Sequence, residues 1–136
     1  MKALILSDLH LEFGRMSPVH DGERIDEGVD VVVLAGDIAE GVQGIRWARE
    51  TFIMKEIVYI AGNHEFYDRH WETLQKDIRS TATRMGVHFL DQDTVDLFGV
   101  RFLGATLWTD FNFFGEEKKS TAMFEAEPEA VKLVVA

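Results

Sequence analysis

The amino-acid sequence predicts an α/β fold, in which a mostly parallel sheet is flanked by helices. The first observation is a set of short apolar runs without polar alternation, which is typical of strands buried on both faces. The second is that helix-period patterns separate several of these runs, which favours parallel strands joined by helical crossovers. The third is that a polar cluster follows each of the first three runs.

The first two strands are separated by a long loop. An apolar run at residues 3–6 ends where polar residues begin, which predicts a buried strand. Residues 12–29 are polar and contain several glycines and a proline, which predicts a loop. Residues 31–34 are β-branched and apolar and end just before Gly36, which predicts a second buried strand.

Two helices and a third strand are predicted next. Residues 41–54 carry apolar side chains at the spacing of an amphipathic helix. Residues 57–60 form an apolar run that predicts the third strand. A second helix is predicted over residues 71–85, with Asp68 as its N-cap and Gly86 at its end.

The pattern after the second helix is less regular. Residues 87–90 predict a fourth strand. Residues 94–98 and 100–103 flank Gly99 and predict a hairpin, although their turn residues are not the usual hairpin pair. The chain becomes charged and then apolar near its end, so we expect its last part to differ from the rest.

Composition and charge exclude several classes of function. The formal net charge of -10 opposes stable binding to nucleic acid or to an anionic membrane, because like charges repel. The chain has no cysteine, which excludes disulfides, thiolate ligands and cysteine nucleophiles. No segment approaches the roughly 20 apolar residues that span a bilayer, and the first apolar run is too short for a signal peptide. We therefore expect a cytoplasmic protein.

Polar side chains follow the first three predicted strands. Asp8 and His10 follow the first strand, Asp37 follows the second and Asn63 follows the third. Because the carboxyl ends of parallel strands share one edge of a sheet, we expect these side chains to converge. Asp8 and His10 lie on one side of an extended segment and could hold a single ion. Asp37 has two oxygens that could bridge two ions, and Asn63 offers an amide oxygen to the second.

This mixed set of ligands indicates which metals would fit. Carboxylate, amide and imidazole ligands together suit manganese, iron, zinc or nickel better than calcium or magnesium. We expect one or two divalent ions at this edge of the sheet. The negative net charge does not oppose a phosphate ester here, because bound cations reverse the local field.

The three polar clusters resemble the motifs of the calcineurin-like metallophosphoesterase superfamily. In the order of the family's D-x-H, G-D and G-N-H-[DE] motifs, the clusters are Asp8-Leu9-His10, Gly36-Asp37 and Gly62-Asn63-His64-Glu65. Each motif alone is weak, but the ordered trio after buried strands is specific. The resemblance covers residues 1–112, and residues 100–110 are similar to a segment of the single-domain bacterial phosphohydrolases.

The resemblance implies the amino-terminal half of the metallophosphoesterase α/β sandwich, with the second half missing. The family's later lone histidine and its G-H-x-H motif have no counterpart, because no histidine follows His88. Three metal ligands of the family are therefore absent. We predict a truncated metallophosphoesterase domain over residues 1–114 and a divergent carboxyl-terminal tail over residues 115–136.

The resemblance also implies a mechanism and a substrate class. Asp8, His10 and Asp37 would hold the first metal ion, and Asp37 and Asn63 the second. Two ions roughly 3.5 Å apart lower the pKa of a bridging water to near neutrality. The resulting hydroxide would attack the phosphorus of a small phosphate ester, either a phosphomonoester or a phosphodiester.

Two catalytic side chains are implied by the same resemblance. His64 would not bind metal, and it would protonate the leaving oxygen or stabilise its charge. Glu40 follows Asp37 at the position where many relatives have an aspartate, and it would orient His64 by accepting a ring N–H. An equal interpretation of Glu40 is an acid that complements the dipole of the following helix.

Two functions from different classes stay open. The first is a metal-dependent phosphoric ester hydrolase, whose activity the missing histidine ligands could impair. The second is a catalytically inactive remnant or metal-binding module that acts through self-association or a partner. Half of a sandwich would expose a sheet edge and apolar surface, which either the tail from about Gly115 or a second chain in a homo-oligomer could cover.

Overall fold

The computed structural model describes residues 1–107 of the chain and confirms the predicted α/β fold class. In chain order its elements are β1 (Ala3–Leu6), β2 (Val19–His20), β3 (Glu23–Arg24), β4 (Val31–Ala35), α1 (Gln43–Thr51), β5 (Glu56–Ile60), a 3-10 turn (His64–Phe66), α2 (Trp71–Met85), β6 (His88–Phe89), β7 (Asp93–Leu97) and β8 (Val100–Gly104). The predicted boundary at residue 114 and the tail over residues 115–136 lie outside the described residues.

The central sheet has four parallel strands in the order β1-β4-β5-β6. Leu6 lies beside Leu34 in the pair β1–β4, and Leu34 lies beside Tyr59 in the pair β4–β5. The ends of these three strands are therefore level. The segments that follow them start from one edge of the sheet, as the sequence predicts.

One face of the sheet is covered by both helices. The buried side chains of this face and of the helices above it form one cluster, whose largest members are Leu34, Ile38, Ile45, Phe52, Ile57, Tyr59, Phe66 and Ile78. Burying each such side chain contributes about 1.5–3 kcal/mol. This cluster holds the level strand ends in place.

The ends of the two helices are tied together by Arg49. Its guanidinium donates hydrogen bonds of 2.7–3.2 Å to carbonyl oxygens that follow α1 and to those of Met85 and Gly86 at the end of α2. Carbonyl oxygens at and just after a helix end lack the next turn's N–H donors, and a cation near them also complements the helix dipoles. Arg49 therefore fixes the relative position of α1 and α2 at the end far from the loop after β4.

The second helix ends as the sequence predicts but begins differently. Gly86 has φ 63°, the left-handed conformation of a helix C-terminus. The predicted cap by Asp68 is wrong, because His70 occupies the N-cap position and makes no capping hydrogen bond. Asp68 has φ 53° and lies in the turn that leads into the helix.

The first strand is less buried than its sequence predicts. Ile5 is 68% exposed, and exposed and partly buried residues alternate along β1. The prediction of a strand buried on both faces is wrong here, because β1 is an edge strand within residues 1–107 and Ile5 lies beside Val33, on the face opposite the helices. An apolar run alone does not distinguish an edge strand from a central one.

The predicted hairpin is confirmed as the pair β7–β8. Phe98 and Gly99 both have positive φ angles, 52° and 77°, as in the type I′ turns that suit hairpins. The hairpin packs Val95, Leu97 and Phe102 against the second face of the sheet.

None of the helices within residues 1–107 is long and apolar enough to cross a membrane.

Candidate metal centre

The segments after β1 and β4 adopt unusual backbone conformations that bring their side chains together. Asp8, His10 and Asp37 have φ angles of 54°, 45° and 53°, in the left-handed region that non-glycine residues rarely adopt. Backbone hydrogen bonds hold them there: the Asp8 N–H donates to Gly36 (3.1 Å) and the His10 N–H to Asp37 (3.1 Å). Such strain costs of order 1–3 kcal/mol per residue and is characteristic of functional sites.

Two motif glycines are required by the close approach of the loops after β4 and β5. A Cβ atom on Gly62 would lie 2.7 Å from the backbone nitrogen of Asp37 and closer still to its carboxylate. A Cβ atom on Gly36 would lie 3.1 Å from the Cα of Gly62. Only glycine permits this approach, so the Gly-Asp and Gly-Asn-His motifs are packed directly against each other.

The last residue of the third motif, Glu65, joins the same two loops through its buried side chain. It is fully buried, and its carboxylate accepts hydrogen bonds from the backbone N–H groups of Asp37 (3.1 Å), Ile38 (3.0 Å) and Gly62 (2.8 Å). The Tyr59 hydroxyl donates a fourth at 2.8 Å. Burial raises the pKa of Glu65, and the hydrogen bonds oppose this rise. Burial beside Glu65 also raises the pKa of Tyr59 well above its usual value.

Three of the predicted site residues converge above this scaffold. His10, Asp37 and His64 each offer one ligand atom, and these atoms lie within 4.8 Å of one another. The ring centroids of His10 and His64 are 4.2 Å apart. The backbone N–H of His64 donates to Asp37 Oδ1 at 2.9 Å, which links the second and third motifs directly.

The other two predicted ligands lie beside this group. The Asn63 side-chain nitrogen donates to the Tyr67 hydroxyl at 2.8 Å, so its amide oxygen is the atom left for a cation. Asp8 is exposed. Its carboxylate does not belong to the group of ligand atoms of His10, Asp37 and His64 that lie within 4.8 Å of one another. Metal binding by Asp8 and Asn63 therefore stays a prediction.

A glutamate that the sequence analysis did not select lies at the centre of the site. Glu12 Oε1 is 3.2 Å from His10 Nδ1 and 3.0 Å from His64 Nδ1. Its other oxygen, Oε2, is buried and has no hydrogen-bond partner within residues 1–107. Burial raises the pKa of Glu12, but hydrogen bonds from its backbone and from both imidazoles, and the charge of His64, hold the pKa below its usual value.

The only sequence signal for Glu12 was its spacing. It lies two residues after His10, as His10 lies two residues after Asp8. Strand alternation does not explain its place, because Asp8 and His10 have positive φ angles and residues 11–13 form a turn. The prediction that Glu40 orients His64 has no contact to support it, since Glu40 is exposed and makes no hydrogen bond to His64 among the described residues.

The charges of the site suit a bound cation. Asp37, Glu12 and Glu65 bring three carboxylates into a partly or fully buried region, and within residues 1–107 none of them is paired with a lysine or arginine. Buried negative charge is costly when it has no compensating partner. Two imidazoles and a carboxylate within 4.8 Å are also a donor set that divalent transition metals accept.

A cleft opens next to the site. Its volume is 690 Å³, and the residues that line it are Leu11, Glu12, Gly14, Arg15, Met16, Ala39, Glu40, Gln43, Arg46, Trp47 and Glu50. This volume is within the range of small-molecule sites, about 300–1,000 Å³. Because Glu12 belongs to both the cleft and the histidine pair, the cleft reaches the site.

Ordered strand-end motifs around a histidine and aspartate cluster define the class of metal-dependent phosphoesterases. A model of the calcineurin-like phosphoesterase family matches residues 1–127, so this chain belongs to that family. The predicted resemblance is thereby confirmed. Family membership supports a phosphoesterase-type hydrolase that uses divalent metal ions.

A solved structure has the same fold. The phosphopantetheinyl hydrolase PptH from Mycobacterium tuberculosis is similar with a TM-score of 0.53 and 18% sequence identity. The similarity covers 99% of this chain and 50% of that one, so the present chain spans about half the length of that structure. At this identity the similarity concerns the fold alone. No curated protein matches the sequence.

Proposed function

We propose that this protein is a metal-dependent hydrolase of small phosphoric esters, either phosphomonoesters or phosphodiesters. The observation that supports this function is the convergence of His10, Asp37 and His64 at the carboxyl edge of the parallel sheet. The site lies in a chain of the calcineurin-like phosphoesterase family, in which such a centre is expected. The predicted cytoplasmic location and the absence of stable nucleic-acid binding stay predictions.

His10 and Asp37 are the first candidates to hold a divalent ion, with Asp8 and Asn63 as further ligands. The donor set of imidazole, carboxylate and amide suits manganese, iron, zinc or nickel. When bound, such ions supply Lewis-acid activation of water and neutralise the phosphoryl oxygens. Asp37 Oδ1 also accepts the backbone N–H of His64, which fixes the second motif beside the third.

His64 is the candidate proton donor. Its Nδ1 lies 3.0 Å from the carboxylate of Glu12, which would stabilise the positive charge of the imidazolium. The opposite nitrogen, Nε2, can then give a proton to the leaving oxygen of the ester. A positioned general acid contributes typically about 10²–10⁴-fold to the rate.

The cleft beside Glu12 provides a place for the rest of the substrate. Arg15 and Arg46 line it, and within residues 1–107 neither guanidinium makes a hydrogen bond or an ion pair with another residue. Guanidinium groups suit phosphate oxygens, and Trp47 offers an aromatic face to an organic group. Glu12, Glu40 and Glu50 line the same cleft, so the two arginines are the groups that would contact the anionic part of a ligand.

Turnover of chromogenic esters tests this proposal. Purified protein is assayed with p-nitrophenyl phosphate and bis(p-nitrophenyl) phosphate, with and without added manganese. We expect metal-stimulated turnover that His64→Ala and Asp37→Ala each lower by about 10²-fold or more. Glu72→Gln is the control, because Glu72 is exposed and lies outside the cleft. Absence of metal-stimulated turnover, or unchanged rates in both variants, would contradict the proposal.

A second candidate function is a metal-binding module that self-associates. The observation that favours it is apolar exposure around the second face of the sheet, where Ile5, Leu103 and Leu107 are 68%, 75% and 90% exposed. A second copy of the chain could cover this surface. Light scattering over a range of concentrations separates the alternatives, since a constant mass of 15.5 kDa would reject a homo-oligomer.

A further inference from the structure

We propose that Glu12 is a positioning residue that holds His10 and His64 in the same tautomer by accepting an Nδ1–H from each ring. Both Nε2 atoms are then available to the metal centre, that of His10 as a ligand and that of His64 as a proton carrier. The assignment of these two tasks rests on the proposed function, whereas the tautomers follow from the contacts of Glu12 alone.

The geometry places one carboxylate oxygen between two rings. Glu12 Oε1 is 3.2 Å from His10 Nδ1 and 3.0 Å from His64 Nδ1, and the two rings meet edge to face. A carboxylate oxygen can accept two hydrogen bonds, so one atom can serve both rings. The Glu12 side chain is only 13% exposed, which limits competition from water.

The chemistry of the two groups fixes where the hydrogens lie. An ionised carboxylate only accepts hydrogen bonds, so each Nδ1 in contact with it must carry a hydrogen. In a neutral imidazole the lone pair is then on Nε2. Acidic partners of this kind orient metal-binding histidines and increase their basicity. For His64 the same contact stabilises the protonated ring that general-acid catalysis requires.

The contacts of Glu12 indicate that its task concerns these two rings rather than the fold. Its second oxygen has no partner within residues 1–107, so that oxygen ties no backbone group into the structure. Because a single oxygen serves both rings, its loss should affect metal binding and proton transfer together. A carboxylate that oriented only one ring would separate the two effects.

Nitrogen-15 NMR of the histidine side chains tests the proposal directly. Long-range ¹H–¹⁵N spectra are recorded without metal at about pH 8, which is above the pKa of a free imidazole. In the wild-type protein we expect Nδ1–H tautomers for both His10 and His64. In Glu12→Gln, whose amide can also donate, we expect at least one ring to shift to the Nε2–H tautomer. Glu50→Gln is the control for this spectrum, because Glu50 lines the same cleft without a contact to either histidine, and it should give the wild-type tautomers.

Two results would overturn the proposal. One is an Nε2–H tautomer for either ring in the wild-type protein, and this result does not depend on whether any variant folds. The other is an unchanged pair of tautomers in Glu12→Gln. Glu12→Asp, which retains the charge on a shorter side chain, should keep more of the Nδ1–H form than Glu12→Gln does.

Metal titration and kinetics provide a second measurement. We expect Glu12→Gln to weaken manganese affinity by about 10–100-fold and to lower kcat at saturating metal, with a smaller change in KM. Equal metal affinity in Glu12→Gln and Glu50→Gln would contradict the coupling. If the wild-type protein binds metal with the expected tautomers but hydrolyses no ester, the proposed function fails while the role of Glu12 stands.

Discussion

The two buried glutamates of the site make opposite kinds of contact. Glu65 is fully buried, and its carboxylate accepts hydrogen bonds from three backbone N–H groups and from the Tyr59 hydroxyl. Glu12 is 13% exposed, and its side chain contacts the rings of His10 and His64 through one oxygen. One carboxylate therefore binds the chain's backbone, and the other binds the groups that would do the chemistry.

This difference separates the residues that hold the loops of the site in place from the residues that would bind metal and transfer a proton. The loops after β4 and β5 are fixed by Glu65 and by the close approach of Gly36 and Gly62. The segment after β1 is held by backbone hydrogen bonds at Asp8 and His10, and it carries Glu12 to the histidines. Substitutions in the first region should cost stability, and substitutions in the second should cost function.

The largest effect is expected for Glu65→Ala. Removing the carboxylate leaves three backbone N–H groups and a tyrosine hydroxyl buried without an acceptor. Each unsatisfied group costs about 1–3 kcal/mol, so we expect the free energy of unfolding to fall by at least about 3 kcal/mol. Urea unfolding followed by circular dichroism measures the change. A loss below about 0.5 kcal/mol, as for the surface control Glu50→Ala, would mean that Glu65 is not part of the scaffold.

The next effect is expected for Gly62→Ala. The added methyl group would lie 2.7 Å from the Asp37 nitrogen, so one of the two loops must move. We expect a loss of stability of about 1–3 kcal/mol together with weaker metal binding, because Asp37 shifts with its loop. Thermal unfolding and metal titration measure the two losses. Gly14→Ala is the control, since nothing lies within 4 Å of a Cβ atom at Gly14. Equal losses of stability and of metal affinity in Gly62→Ala and Gly14→Ala would show that the loops of Gly62 and Asp37 are not in close contact.

A smaller and different effect is expected for Glu12→Gln. The variant keeps the shape of the side chain, and Glu12 ties down no backbone group through Oε2. We expect stability within about 1 kcal/mol of the wild type and a turnover reduced about 10–100-fold. Urea unfolding and steady-state kinetics on one preparation measure both. A loss of stability as large as that of Glu65→Ala would remove the distinction between the two glutamates.

The smallest effect is expected for Arg46→Gln, in the cleft. Arg46 pairs with no residue within the described part of the chain, so stability should be unchanged. The KM for p-nitrophenyl phosphate should rise by about 3–10-fold, since a hydrogen bond contributes about 0.5–1.5 kcal/mol net and about 1.4 kcal/mol is tenfold in affinity. Arg79→Gln is the control, because Arg79 pairs with Asp93 on an exposed surface outside the cleft. A KM equal in both variants would place the substrate elsewhere.

Much of the fold could be predicted from the sequence because its determinants are local. The apolar runs and the helix-period patterns identify the parallel sheet and both helices, and Gly86 marks the end of α2. The edge position of β1 could not be predicted, because strand order depends on contacts between distant segments. The prediction of the N-cap of α2 was wrong for a similar reason, since Asp68 lies in the turn that precedes the helix.

The candidate site was predictable where residue type and spacing determine position. His10, Asp37 and His64 each follow a strand, and level strand ends bring them together. Glu12 was not predictable in this way, because its place depends on the path of the chain after β1. The scaffolding role of Glu65 was not predictable either, since the sequence does not show whether a glutamate is buried or exposed.

Manganese titration of the wild-type protein and of Asp37→Ala by isothermal calorimetry is the most direct test of the cation site at the strand ends. A saturable site in the wild-type protein that weakens at least about 10-fold when the aspartate is removed would agree with the coordination inferred from these loops. No binding, or identical isotherms for the two proteins, would contradict it.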